Sequence, residues 1–200
     1  MKTIFAAAMA ACAVAAAPAA QAAELIHIEG GPITALPGEF ELTFDAGGGD
    51  AMAKFQIIGF RTVDGANVAN DLTDTFSLLV NGVEVLRGAY DLGGGGDNIT
   101  FLAPSGAQIA VHSGQNIGDG GTVDVTTALT LAAGANTLTF RYATRVPQSP
   151  EDEFWAVGAV TVNGAAAGGG VPEPSAWALM LLGFGGMGAA LRRRPLLLQK

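Results

Sequence analysis

The chain has 200 residues, half of them apolar, with 29 glycines, one cysteine and a formal net charge of −8. That length holds one ordinary domain plus targeting segments. The acidity argues against nucleic-acid and anionic-membrane partners. The lone Cys12 lies in the leader, so the rest of the chain has no disulfide, thiol nucleophile or cysteine-bound metal.

The start reads as a secretory signal peptide over residues 1–22. Met1-Lys2 is the positive n-region, Ile4 to Ala17 the apolar h-region, and Ala20-Gln21-Ala22 an A-x-A cleavage site. Sec export machinery and signal peptidase are the partners this implies, with a mature start at Ala23 or Glu24. Met9-Ala10-Ala11-Cys12 is a poor lipoprotein box, because the leader before it is very short.

Glu24 to Gly170 carries 17 acidic and 5 basic residues, a net of −12, because Lys2, Arg192, Arg193, Arg194 and Lys200 lie outside it. Residues 23–164 are predicted to form one all-β domain, a jelly roll or β-sandwich. Ten strands are expected: Leu25–Glu29, Glu39–Asp45, Ala53–Thr62, Thr75–Val80, Val83–Tyr90, Asn98–Leu102, Gln108–His112, Thr122–Leu131, Asn136–Thr144 and Phe154–Val162. Period-two alternation carries several of them, as in Phe40, Leu42, Phe44 and in Leu138, Phe140, Tyr142. Asn81-Gly82 between two apolar runs predicts a two-residue hairpin. Ala133-Gly134-Ala135 predicts the turn before Leu138.

Gly47-Gly48-Gly49-Asp50, Gly93 to Gly96 with Asp97, and Gly118-Asp119-Gly120-Gly121 are acidic-flanked loops. They lack both the nonapeptide spacing of calcium β-rolls and the EF-hand spacing, so turn chemistry is the simpler reading. Residues 165–170 are a flexible Gly/Ala linker.

The tail follows in a fixed order: Pro172-Glu173-Pro174, an uncharged apolar stretch from Ser175 to Leu191, then Arg192, Arg193 and Arg194. As a helix the stretch is about 25 Å long, at the short end of a membrane span. The arginines act as a membrane stop and remain cytoplasmic by the positive-inside rule, leaving 195–200 as a cytoplasmic stub. A buried helix of the domain is the competing reading, but the stretch is apolar all round. A plain anchor without processing is the other.

This tail resembles the PEP-CTERM sorting signal of exported proteins in Gram-negative bacteria. The resemblance covers residues 171–194. It implies that exosortase recognises Pro172, Glu173 and Pro174, that the chain is anchored in the inner membrane before processing, and that the body ends at the cell surface or in the extracellular matrix. In the body, Leu131-Ala-Ala-Gly134-Ala-Asn136-Thr-Leu138-Thr-Phe140 followed by Asp152-Glu153-Phe154-Trp155 resembles the jelly-roll domains of many PEP-CTERM proteins. It is also similar to carbohydrate-binding, galactose-binding-like modules. Gly158 and Ala159 stand where those modules carry a second polar residue.

Few constellations carry chemistry. His27 and His112 are isolated, no serine lies in G-x-S-x-G, and no P-loop or dinucleotide fingerprint occurs. Trp155 is the candidate carbohydrate contact, weighed against a buried core aromatic. Asp74, Asp152 and Glu153 stand at strand starts, as Asp71 does. A structural calcium is one reading of them; solvated strand ends and pairing with Arg141 or Arg145 are the others. No other cofactor is implied. Three functions result: a non-catalytic surface or matrix protein associated with exopolysaccharide, a carbohydrate-binding module, and a glycoside hydrolase or lyase, whose carboxylate pairs leave no sequence signature.

Overall fold

The computed structural model describes residues 22–67, 73–146, 151–167 and 179–187. Among them are nine strands: β1 (Ala23–Ile28), β2 (Thr34–Ala35), β3 (Gly38–Arg61), β4 (Asp74–Val80), β5 (Val83–Ala89), β6 (Ile99–Leu102), β7 (Gln108–Ser113), β8 (Gly121–Thr144) and β9 (Glu153–Gly164). All ladders are antiparallel. They run in the order β1-β9-β3-β8-β4-β5-β6, with β2 also on β9 and β7 also on β8.

The two long strands make this ladder a two-layered body. β3 and β8 pair along nearly their whole length. The second half of β3 also pairs with β9, and the first half of β8 with β7. The second half of β8 pairs instead with β4, which leads on to β5 and β6. Where the halves meet, the β3–β8 ribbon bends and stacks one half-sheet on the other. Phe76 of β4 lies 6.1 Å from Phe55 of β3 and 6.5 Å from Trp155 of β9, ring centre to ring centre, so side chains of both layers meet in one core. Leu78, Leu86, Val123, Leu138, Val157 and Val160 fill out that core.

The bend corrects the expected strand count. Gly47–Asp50 and Ala133–Ala135 are not chain-reversing turns. They face each other across the ladder, with Ala46 opposite Gly134 and Gly49 opposite Leu131, inside two continuous strands. Gly48, Gly49 and Gly134 take φ of 85°, 92° and 91°, where a Cβ is strained, so glycine supplies the corner. Asn136 then satisfies the backbone that the corner frees. Its Oδ1 accepts the Ala132 amide, and its Nδ2 donates to the carbonyls of Ala132 and Gly134, each at 2.9 Å. Asn81-Gly82 makes the predicted hairpin between β4 and β5, with both residues at positive φ.

Candidate functional site

A buried acidic cluster lies where the start of β4, the start of β9 and the segment after β3 converge. Asp64, Asp74 and Glu153 are 5%, 1% and 1% exposed, and one carboxylate oxygen from each lies within 4.8 Å of the others. Backbone contacts fix the first two. The Asp64 amide donates to Asp74 Oδ2 at 2.8 Å, and the Asp74 amide to the Asp64 carbonyl at 3.3 Å. Glu153 is the strand partner of Arg61, the last residue of β3. Burial pushes the Asp74 carboxyl above its usual range, against hydrogen bonds from Asp64 and Thr144.

Aromatic groups lie beside the cluster. Tyr142 is fully buried against Phe76 and Trp155, at ring distances of 5.6 and 5.4 Å. Its hydroxyl makes no hydrogen bond to the described residues. Burial first, then the charge of Asp74, holds that phenol well above its usual range. Gly94 closes the Asp64 side. A Cβ there would stand 2.4 Å from both Asp64 Oδ1 and the Thr62 carbonyl oxygen, so only glycine fits without displacing them.

The predicted site residues fall unevenly around this centre. Asp74 and Glu153 belong to it, and Asp64 is the member that sequence reasoning missed. Asp152 does not belong. It precedes Glu153 by one residue, so its side chain is directed elsewhere and accepts the Thr62 hydroxyl at 3.0 Å. Asp71 lies outside the described residues. Arg141 is bonded to Glu39 on the exposed surface, not to Asp152 or Glu153. Trp155 is 0% exposed and packed on Phe76 and Tyr142, so its ring has no face to offer a sugar; the carbohydrate-contact reading of this residue is corrected to core aromatic.

The glycine-aspartate loops show turn chemistry. Asp91 Oδ1 accepts the amides of Gly93 and Gly95, and Asp119 Oδ2 accepts the amide and side chain of Asn116. The histidines contact surface partners on separate strands: His27 meets Thr161 and Glu29, and His112 meets Asp124.

A second feature is exposed. On the layer ending in β6, Phe101 is 48% exposed, with the Arg87 guanidinium 5.9 Å from its ring centre. Thr75, Arg87 and Phe101 line a hollow of about 330 Å³. Thr75 also borders a second hollow of about 400 Å³ with Thr73, Ala143, Thr144 and Arg145. Nothing in the sequence marked Phe101, because an exposed aromatic and a core aromatic alternate alike along a strand.

Pro172, Glu173, Pro174 and Arg192, Arg193, Arg194 lie outside the described residues. Residues 179–187 of the expected span are helical and exposed. Among the described residues no helix is long and apolar enough to cross a membrane.

Fold and site together define an all-β, sandwich-like domain with a buried carboxylate cluster. At the C-terminal end, residues 170–194 match the PEP-CTERM protein-sorting motif. That motif implies exosortase as the processing partner, and export with a membrane-anchored stage before processing. No curated protein matches the chain. Among solved structures it is similar to dimeric latent PorU from Porphyromonas gingivalis, at 11% identity and a TM-score of 0.43 over 76% of this chain. The chain spans 13% of PorU's length. It is also similar to a family 35 carbohydrate binding module from an environmental isolate, at 13% identity and a TM-score of 0.31, covering 67% of this chain and 74% of that one. A third likeness is to the C-terminal domain of EclA, a sugar-binding protein, at 11% identity and a TM-score of 0.34, covering 79% and 89%. At these values none of the three decides a fold family or a ligand.

Proposed function

We infer that the chain is an exported, non-catalytic surface or extracellular-matrix protein, cut near Pro172-Glu173-Pro174 by exosortase and retained among exopolysaccharide. The observation that carries this reading is the sorting motif over residues 170–194. The order of its parts fits the physics: a basic stop held in the cytoplasm leaves the proline motif at the outer membrane–water boundary, where a membrane-embedded protease reaches it. A signal peptide over 1–22 and a body of net −12 suit the same route. The nested pairing of β1 with β9 around that of β3 with β8 supports the jelly-roll form of the sandwich. The non-catalytic reading draws on the burial of the acidic cluster, whose carboxylates cannot reach a glycosidic bond from solvent.

Intact-mass analysis of the exported protein tests the sorting. Loss of the span in cells with exosortase, and its retention without the enzyme or after Glu173→Ala, is the expected result. Retention of the span in all three would reduce the tail to a plain anchor.

A second reading, a carbohydrate-binding body, is favoured by Phe101 and Arg87 beside the two hollows that share Thr75. An exposed aromatic face with polar neighbours suits a sugar ring. Glycan-array binding lost in Phe101→Ala, with unchanged melting, supports this reading. Binding that survives the substitution removes Phe101 as its anchor.

A further inference from the structure

We propose that Asp64, Asp74 and Glu153 bind a calcium ion that ties the start of β9 to the start of β4 and to the segment after β3. The first ground is geometric. Three carboxylates from three distant parts of the chain offer oxygens within 4.8 Å of one another while nearly excluded from water. Like charges at that spacing repel, and burial strengthens the repulsion. A divalent cation turns the same arrangement into an attractive one.

The second ground is the hydroxyl of Tyr142. Tyr142 lies two residues before Thr144, the strand partner of Asp74, and therefore faces the same side of the sheet. Its partner Phe76 lies two residues after Asp74, so Tyr142 and Asp74 are diagonal neighbours on the inner face. Its hydroxyl is fully buried and makes no hydrogen bond to the described residues. Buried hydroxyls are normally satisfied. A water held by an ion on Asp74 supplies the missing partner.

The donor set selects the ion. Oxygen is the only ligand type in the cluster, which suits a hard cation. The Thr62 carbonyl lies on the same Gly94 wall as Asp64 Oδ1 and offers a backbone oxygen nearby. Calcium takes six to eight oxygens in loose geometry, whereas magnesium demands a near-ideal octahedron. Ligands drawn from two strand starts and a connecting segment fit the former. Extracellular calcium modules work at roughly 10⁻⁴–10⁻³ M, so the site would fill only after export.

The test uses the full chain, stripped with EGTA and then titrated with calcium. Calcium should raise the melting temperature by at least about 5 °C at saturation. Terbium should show luminescence sensitised by the neighbouring aromatic rings, displaced by calcium at lower concentration than by magnesium. Asp74→Asn and Glu153→Gln should each abolish the melting shift, while Asp152→Asn keeps it. The proposal is overturned if the native chain shows neither shift nor sensitised terbium, if magnesium competes as well as calcium, or if the shift survives in Asp74→Asn and Glu153→Gln. Should those variants fail to fold, the terbium competition on the native chain decides alone.

Discussion

The ring of Phe55 lies 5.2 Å from the ring of Phe140, edge to face, although the strand partner of Phe140 is Phe40. A straight strand from Phe40 to Phe55 would separate them by about 50 Å. β3 therefore folds back on itself, and this contact is where the folding-back is secured. Replacing either ring by Ala should destabilise the body by about 3–5 kcal/mol. The double variant should fall short of the sum by about 0.5–1.5 kcal/mol, the coupling of an aromatic pair. Urea unfolding of the four proteins measures this. Full additivity would mean that the two layers are held elsewhere.

The corner itself depends on Asn136. Its side chain closes three hydrogen bonds to Ala132 and Gly134 and also accepts one from Asn81 Nδ2, while 1% exposed. Asn136→Ala leaves buried backbone groups at the bend without partners, a loss of about 1–3 kcal/mol for each group that water cannot reach. Gly134→Val places a branched side chain at φ 91° and should be at least as damaging. A denaturation midpoint within error of the native one for both variants would show that the bend needs neither residue.

Much of this architecture can be read from residue patterns, and the failures have physical causes. Period-two alternation marks Phe40, Leu42 and Phe44 because each strand face sees a constant environment, and those residues do turn toward the core. Glycine-rich stretches mark a change of backbone direction, but they do not distinguish a reversal from a corner inside a paired strand. That is why one strand was expected on each side of Gly47–Asp50 and of Ala133–Ala135. The acidic cluster was half legible: Asp74 and Glu153 stand at strand starts, whereas Asp64 lies in an irregular segment whose position depends on tertiary contacts with Asp74 and Gly94. Trp155 shows the same limit, since alternation places it on a face without saying which one is covered.

The two tyrosines provide a pH test of the core. Burial raises the Tyr90 phenol above its ordinary 10.0, opposed by its hydrogen bond to Thr100, and raises Tyr142 much further. A folded pKa above the unfolded one means that the native state holds its proton longer. The stability tied to that proton is fully present below pH 10.0 and is lost as pH rises through the folded values. The Tyr142 share of the tyrosinate absorbance should therefore appear only together with loss of the β circular-dichroism signal. Full tyrosinate absorbance forming while the β signal persists would mean that the Tyr142 phenol reaches solvent in the folded chain.

Gly94 and Gly95 separate crowding of the acidic cluster from simple backbone strain. A Cβ on Gly95 meets nothing within 4 Å, but its φ of 98° penalises any side chain. Gly94 lies outside the left-handed region, and its Cβ would stand 2.4 Å from Asp64 Oδ1 and the Thr62 carbonyl. Gly95→Ala should thus lose about 1 kcal/mol through strain and leave the carboxylates in place. Gly94→Ala should lose about 1–3 kcal/mol through overpacking and push Asp64 away from Asp74 and Glu153. If these carboxylates share an ion, Gly94→Ala should weaken calcium binding at least tenfold while Gly95→Ala does not, as read by terbium competition. Equal weakening in both would assign the effect to the loop backbone, and no weakening in either would remove Asp64 from the ligand set.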